Sequence, residues 1–297
     1  MATVEHRYRS PLLGEPIRLT LPQGELEAFT RGDGPPLVFA HGWLANANLW
    51  RKVVDRLADR YRCIALDLPL GAHRVPLNPD ADLSAKGCGA LIAAALDALA
   101  LDGVTLVAND SGGAYSQIAL SRRPDLAERL VLTSCETPYD HFPPEPFDGL
   151  PAAAQNPETL CELFSALEDP EVRKLPVAFG LLVKHPLDPA VSDSYALPCL
   201  RDPGVLHDTA KAIAGASTAA VHNAGARLIE TWKQPVHFVW SQEDPVFPIE
   251  HARRYASALA NTQLTVVDDC YSFTAEDQPA ALADAIAKAV PSLGQPT

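Results

Sequence analysis

Much of the character of this 297-residue chain lies in what it omits. Its six cysteines, at 63, 88, 135, 161, 199 and 270, form no Cys-x-x-Cys pair and no metal-ligand spacing. They read as reduced, mostly buried thiols of a cytoplasmic protein, with neither a disulfide framework nor a metal site expected. There is no Gly-x-Gly-x-x-Gly stretch, no P-loop and no internal repeat, so no cofactor is expected. Basic residues are scarce, 24 against 37 acidic ones, for a net charge of −13. With no basic patch either, nucleic acid and anionic membrane are not expected as partners. Long apolar runs are missing too. The start, MATVEHRYRSPLLGEP, has no signal core, and the longest apolar helical stretch, CGALIAAALDALAL, is broken by Asp97. No segment should therefore span a membrane. Finally, no histidine follows His251. What remains is a chain of ordinary globular composition, long enough for a large core. Its expected partner is a small-molecule substrate, and the composition neither requires nor excludes a homodimer.

What is present alternates strand and helix. Residues 17–21 and 25–31 read as strands joined by a Pro-Gln-Gly turn. LVFA is a buried strand ending in His41-Gly42-Trp43, and Asn46 or Asn48 can cap the helix LWRKVVDRLADRY. Strand CIALDL leads through PLGAHRVPLNPDAD to an Ala-rich helix over 83–101, begun at Ser84. VTLV, RLVLTSCE, VHFVW and QLTVV are further strands, separated by helices such as AYSQIALSRR, AAVHNAGARLIETW and HARRYASALA, with a last helix from Pro279. This order implies an α/β fold with a mainly parallel central sheet flanked by helices. From Thr137 to about Ser217 the pattern changes: prolines abound, and ETLCELFSALED, EVRKLPVAFGLLV and SYALPCL read as short helices. That predicts a helical cap, residues 138–217, inserted into a core of 1–137 and 218–297.

One stretch organises the rest: Leu106-Val107-Ala108-Asn109-Asp110-Ser111-Gly112-Gly113-Ala114. It joins a buried strand to a helix through a run of small residues, as a tight bend with little room for Cβ atoms requires. The helix start behind it favours negative charge. Serine is the tempting nucleophile, but centring the frame on Ser111 puts Asn109 at a position that needs a small residue. Centred on Asp110, the small positions fall on Ala108 and Gly112. The bland alternative is that Asp110 merely caps the helix.

With these residues in view, the chain resembles the α/β-hydrolase superfamily along nearly its full length, and within it the haloalkane dehalogenase and epoxide hydrolase branch. Four features carry the resemblance: His41-Gly42-Trp43 after the third strand, the LDLPLGAH loop, the Asp-centred nucleophile elbow, and WSQEDPVFP after the seventh strand. The resemblance implies that Asp110 attacks an electrophilic carbon and forms an ester. It implies that the backbone N–H groups of Trp43 and Ser111 stabilise the oxyanion of ester breakdown. Asp244 stands where the family's acid orients its histidine. Glu136 lies near where some dehalogenases carry that acid instead. His41 reads as a structural turn residue, not a base.

The chain also departs from the family. Aligning Phe273 and Gln278-Pro279 puts Ser272 where the histidine belongs, and no shift of the loop VVDDCYSFTAEDQP finds one. The halide-binding positions are Trp43 and Ser111, and Leu44 replaces the proline of the epoxide hydrolase turn. Tyr139 and Tyr195 are the candidates for ring-opening tyrosines, without a supporting motif. Three readings follow. Asp110 attacks carbon while a cap histidine (His141, His185, His207 or His222) activates water; or Asp110 serves as acid or base in a lyase or isomerase step; or the scaffold is a disabled enzyme that binds an apolar molecule. Loss of the histidine predicts slow breakdown of any ester on Asp110, since Ser272 is too weak a base.

Overall fold

The computed structural model describes residues 5–290; the first four residues of the stretch read for a signal core lie outside them. Eight strands form one sheet: β1 Glu15–Leu21, β2 Gly24–Arg31, β3 Pro36–Ala40, β4 Arg62–Leu66, β5 Thr105–Asn109, β6 Arg129–Thr133, β7 Val236–Ser241 and β8 Thr262–Val267. Their order is β1-β2-β4-β3-β5-β6-β7-β8. β2 runs antiparallel to β1 and β4, and every pairing from β4 to β8 is parallel. β5 and β7 are buried at every position, as strands covered on both faces must be, whereas β8 at the edge is largely half-exposed.

Helices α1 Arg51–Leu57, α2 Ala85–Leu99, α3 Ser111–Arg122, α9 Thr218–Thr231, α10 Ile249–Ala258, α11 Thr274–Asp277 and α12 Pro279–Ala289 belong to this layered core. Their starts are written in the sequence. Ser84 Oγ accepts from Gly87 N–H at 3.2 Å to begin α2, and Asn46 caps the 3₁₀ turn Ala47–Trp50 that leads into α1. No helix among the described residues is long and apolar enough to cross a membrane.

The chain leaves β3 toward one edge of the sheet, to β4, and later returns to place β5 on the other side of β3. Reversals of this kind open a crevice at the C-terminal ends of the two strands. His41-Gly42-Trp43 follows β3 and Asp110 follows β5, so topology alone brings them together.

Between β6 and α9 the described residues contain no strand, only α4 Leu150–Ala153, α5 Pro157–Ser165, α6 Pro189–Ala196, α7 Pro198–Arg201, α8 Pro203–Ala214 and 3₁₀ turns. Proline sets the first turn of each of these helices, and Asn156, Asp188 and Asp202 cap three of them. The helix read over EVRKLPVAFGLLV is a correction: only Val172–Lys174 coil, as a 3₁₀ turn. Pro176 lacks the N–H a helix needs. Tertiary bonds take over instead, with Arg173 Nε donating to Leu167 O at 2.6 Å and Phe273 N–H to Leu182 O at 2.6 Å. A Cβ on Gly180 would lie 2.1 Å from Lys174 O, so the turn is closed tightly on itself.

Candidate active site

Asp110 sits between β5 and α3 with φ 53° and ψ −143°, a left-handed conformation that few side chains adopt without support. The support comes from small neighbours. A Cβ on Gly112 would lie 2.4 Å from His41 O, and one on Gly42 would lie 2.6 Å from Asp110 Cβ. Main-chain bonds hold the turn: Asp110 N–H donates to Ser134 O at 3.0 Å, and Gly113 N–H to Asp110 O at 2.7 Å. Asn109, the misfit of a serine-centred frame, is a brace. Its Nδ2 donates to Thr133 O, Ser134 O and Ser272 O at 3.0, 3.1 and 2.8 Å, joining three loops.

One oxygen of Asp110, Oδ1, accepts from Ser111 N–H. Ser111 Oγ, fully buried, accepts from Trp43 N–H at 2.9 Å, and the Trp43 indole donates to Tyr115 at 2.9 Å. The two N–H groups expected at an oxyanion are therefore engaged differently. Ser111's meets Asp110 Oδ1, while Trp43's is spent on the Ser111 hydroxyl. Burial pushes the Asp110 carboxyl up to about 7, against the Ser111 N–H bond and with a further push from the Asp244 charge.

Asp244 Oδ1 accepts from Val246 N–H, Phe247 N–H and Ser272 Oγ, each at 2.9 Å. Its carboxyl is raised by burial, opposed first by the Phe247 N–H. Ser272, fully buried, thus bonds the acid from the position where alignment puts the missing histidine.

Above the elbow lies a cavity of about 440 Å³. Asp110, Glu136 and Trp43 line it, together with Phe147, Leu150, Phe164, Leu167 and Phe179 of the segment between β6 and α9. The only ionisable side chains lining it are the two carboxyls. Glu136 is 1% exposed, and neither of its oxygens has a hydrogen-bond partner among the described residues. Burial, and then the charge of Asp110, raises its carboxyl well above the usual range. A charge on Asp110 thus disfavours a second charge on Glu136.

The family model described as "alpha/beta hydrolase fold" matches residues 35–279. The chain belongs to the α/β-hydrolase fold family. A haloalkane dehalogenase of Mesorhizobium japonicum is 27% identical over 275 residues, 88% of this chain and 85% of its own. An α/β-hydrolase fold protein from Burkholderia ambifaria superposes with a TM-score of 0.76 at 26% identity, over 92% of this chain and 97% of that one. The epoxide hydrolase CorEH is similar in fold, with a TM-score of 0.74 at 20% identity and the same coverage. This chain is an α/β-hydrolase-family enzyme, similar in sequence to a haloalkane dehalogenase.

For a member of that family, the placement of its histidines is unusual: none of the nine lines the cavity. His41 is buried and its pKa falls to about 4; its Nδ1 meets Gly42 O at 2.9 Å while Nε2 accepts from Leu68 N–H at 2.8 Å. It ties the turn after β3 to the loop after β4. His141 and His207 are exposed, His185 pairs with Asp269 at 3.0 Å, and His222 meets Asp140 O at 2.8 Å. The candidate tyrosines are elsewhere too. Tyr139 packs under Arg254, 3.8 Å from its ring, because Asp140 holds that turn to His251 of α10; Tyr195 donates to buried Glu276 at 3.1 Å. Among the described residues no group of three His, Cys, Asp or Glu gathers as metal ligands would. Two contributors escaped the sequence reading. Asn109 enters the sequence argument only as a misfit of the serine-centred frame, and Ser111 is expected there to contribute its backbone N–H.

Proposed function

We propose that this enzyme opens an electrophilic carbon of a neutral, apolar small molecule, most readily an epoxide, by attack of Asp110. The observation that carries the reading is a carboxylate with one oxygen held by a backbone N–H, on a strained elbow, bordering an apolar cavity. With Oδ1 held, Oδ2 is the oxygen left to form the ester bond. Among the residues lining the cavity there is no Lys, Arg or His, so an anionic substrate would face two carboxyls without a counter-charge.

The same electrostatics favours an epoxide over an alkyl halide. The oxygen of an opened epoxide stays on the product and can be protonated, whereas a departing halide must be held as an anion. The indole N–H of Trp43, a residue that lines the cavity, is committed to Tyr115.

A carboxyl pushed to about 7 also suits general acid or base chemistry without a covalent step. Incubation with an apolar terminal epoxide such as styrene oxide separates the two. The proposal predicts diol formation, with one equivalent of hydroxyalkyl ester trapped on Asp110 by acid quench. Turnover with no ester at any time, or labelling of Ser111 by a serine-directed phosphonate, would overturn it.

A further inference from the structure

We propose that Glu136 is the proton donor and then the proton acceptor of this site, acting directly on the opening oxygen and on water in place of a histidine. The inference rests on Asp110 being the nucleophile. Its own support is geometric. Glu136 borders the same cavity as Asp110, is 1% exposed, and has no partner on either carboxyl oxygen. A buried polar group with no partner is costly to keep unless something else is to meet it. Gln117 Nε2 donates to the Glu136 main-chain carbonyl at 2.7 Å, which fixes the backbone while leaving the side chain uncommitted. The acid's usual task of orienting a histidine is closed to it. Ser272 stands at that position, and its hydroxyl serves Asp244 at 2.9 Å.

The protons and electrons balance through both steps. Asp110 Oδ2 attacks an epoxide carbon; the C–O bond breaks, its electron pair goes to the ring oxygen, and that oxygen takes the proton of Glu136. The products are a hydroxyalkyl ester on Asp110 and a carboxylate at Glu136. Alkylation removes the Asp110 charge that favoured the neutral form of Glu136, so the new carboxylate is tolerated at that moment. Glu136 then accepts a proton from water as the water oxygen bonds to Asp110 Cγ. The tetrahedral intermediate expels the diol oxygen, which takes the remaining hydroxyl proton. Asp110 returns as carboxylate and Glu136 as acid.

Two electrophiles separate the two roles in the full-length protein. Styrene oxide needs a proton to open, and benzyl bromide releases its leaving group without one. In E136Q, adduct formation with styrene oxide should slow about 100-fold or more, and decay of the benzyl ester about 100- to 10,000-fold, the usual range of general acid or base assistance. Benzyl ester formation should slow at least about tenfold less than epoxide opening does, because no proton is transferred in it. Intact-protein mass spectrometry follows each rate. Wild-type benzyl ester decay should also accelerate with pH as Glu136 ionises, and E136D should recover part of the E136Q loss. These two readouts hold even if E136Q folds poorly. Equal benzyl ester decay in wild type and E136Q, with a flat wild-type pH profile, would overturn the base role; equal epoxide rates would overturn the acid role. No Asp110 adduct from either probe in wild type would overturn the nucleophile reading itself, and this inference with it.

Discussion

The turn after β5 and the loop after β8 are bonded to each other, Asn109 Nδ2 to Ser272 O at 2.8 Å, yet they depart from the hydrolase pattern to opposite degrees. The turn keeps its strained Asp110, its small neighbours and an N–H on the carboxylate. The loop carries Ser272, whose hydroxyl donates to Asp244 at the position where the resemblance leads one to expect a histidine. The difference teaches how separable these parts are. The elbow's residues are fixed by backbone sterics, so changing them breaks the turn. The histidine position is a side-chain matter: the Ser272 hydroxyl gives Asp244 Oδ1 a donor, while Oδ2 has no partner among the described residues.

The largest effect should come from the turn. Asp110→Asn should abolish adduct formation with styrene oxide, measured by intact mass. The same change should alter how stability depends on pH. The Asp110 carboxyl titrates at about 7 in the folded protein, above the roughly 3.9 of an unfolded aspartate. The unfolded chain therefore releases this proton first, and stability falls as pH rises between those values. Asp110→Asn should flatten that slope in thermal melts and raise the melting temperature at pH 8 by about 2–4 °C. Next comes Gly112→Ala. Its Cβ would meet His41 O at 2.4 Å and Ala40 O at 2.8 Å, backbone atoms that cannot swing away. A displaced elbow should alkylate about 100-fold more slowly.

The loop should respond more gently. Ser272→His should speed ester decay about tenfold or more, the low end of base assistance, and only while Asp244 is present. If it speeds decay equally in an Asp244→Asn background, the two positions are not coupled and the comparison fails. Smallest of all, Ser272→Ala should leave alkylation unchanged within about twofold while costing about 1–2 kcal/mol, because Asp244 loses one of its donors. A thermal melt beside an adduct time course checks both halves.

This contrast also explains what could be read in advance. The Asp-centred frame was legible because a tight turn restricts residue size, and strand and helix alternation announced the sheet and its family. Register, counted back from Gln278-Pro279, singles out Ser272 for attention, and the structure adds its hydrogen bond to Asp244. The cavity was not, since its walls come from short helices whose packing no local pattern encodes, and the 171–183 stretch read as helix because its long-range bonds to Leu167 and Phe273 are invisible locally. Nor was the uncommitted state of Glu136, which depends on what fails to approach it. The diversion of Trp43 N–H to Ser111 Oγ joins residues 68 positions apart.

The decisive question is whether Asp110 forms a bond to substrate carbon. A single turnover with excess enzyme and styrene oxide in ¹⁸O-water, followed by proteolysis and mass spectrometry, tests this directly. Attack by Asp110 and hydrolysis at its Cγ predict ¹⁸O in the Asp110 carboxylate and unlabelled oxygen in the first-turnover diol. Label in the diol with none in the Asp110 peptide would mean that water attacks the epoxide itself, and would contradict the account.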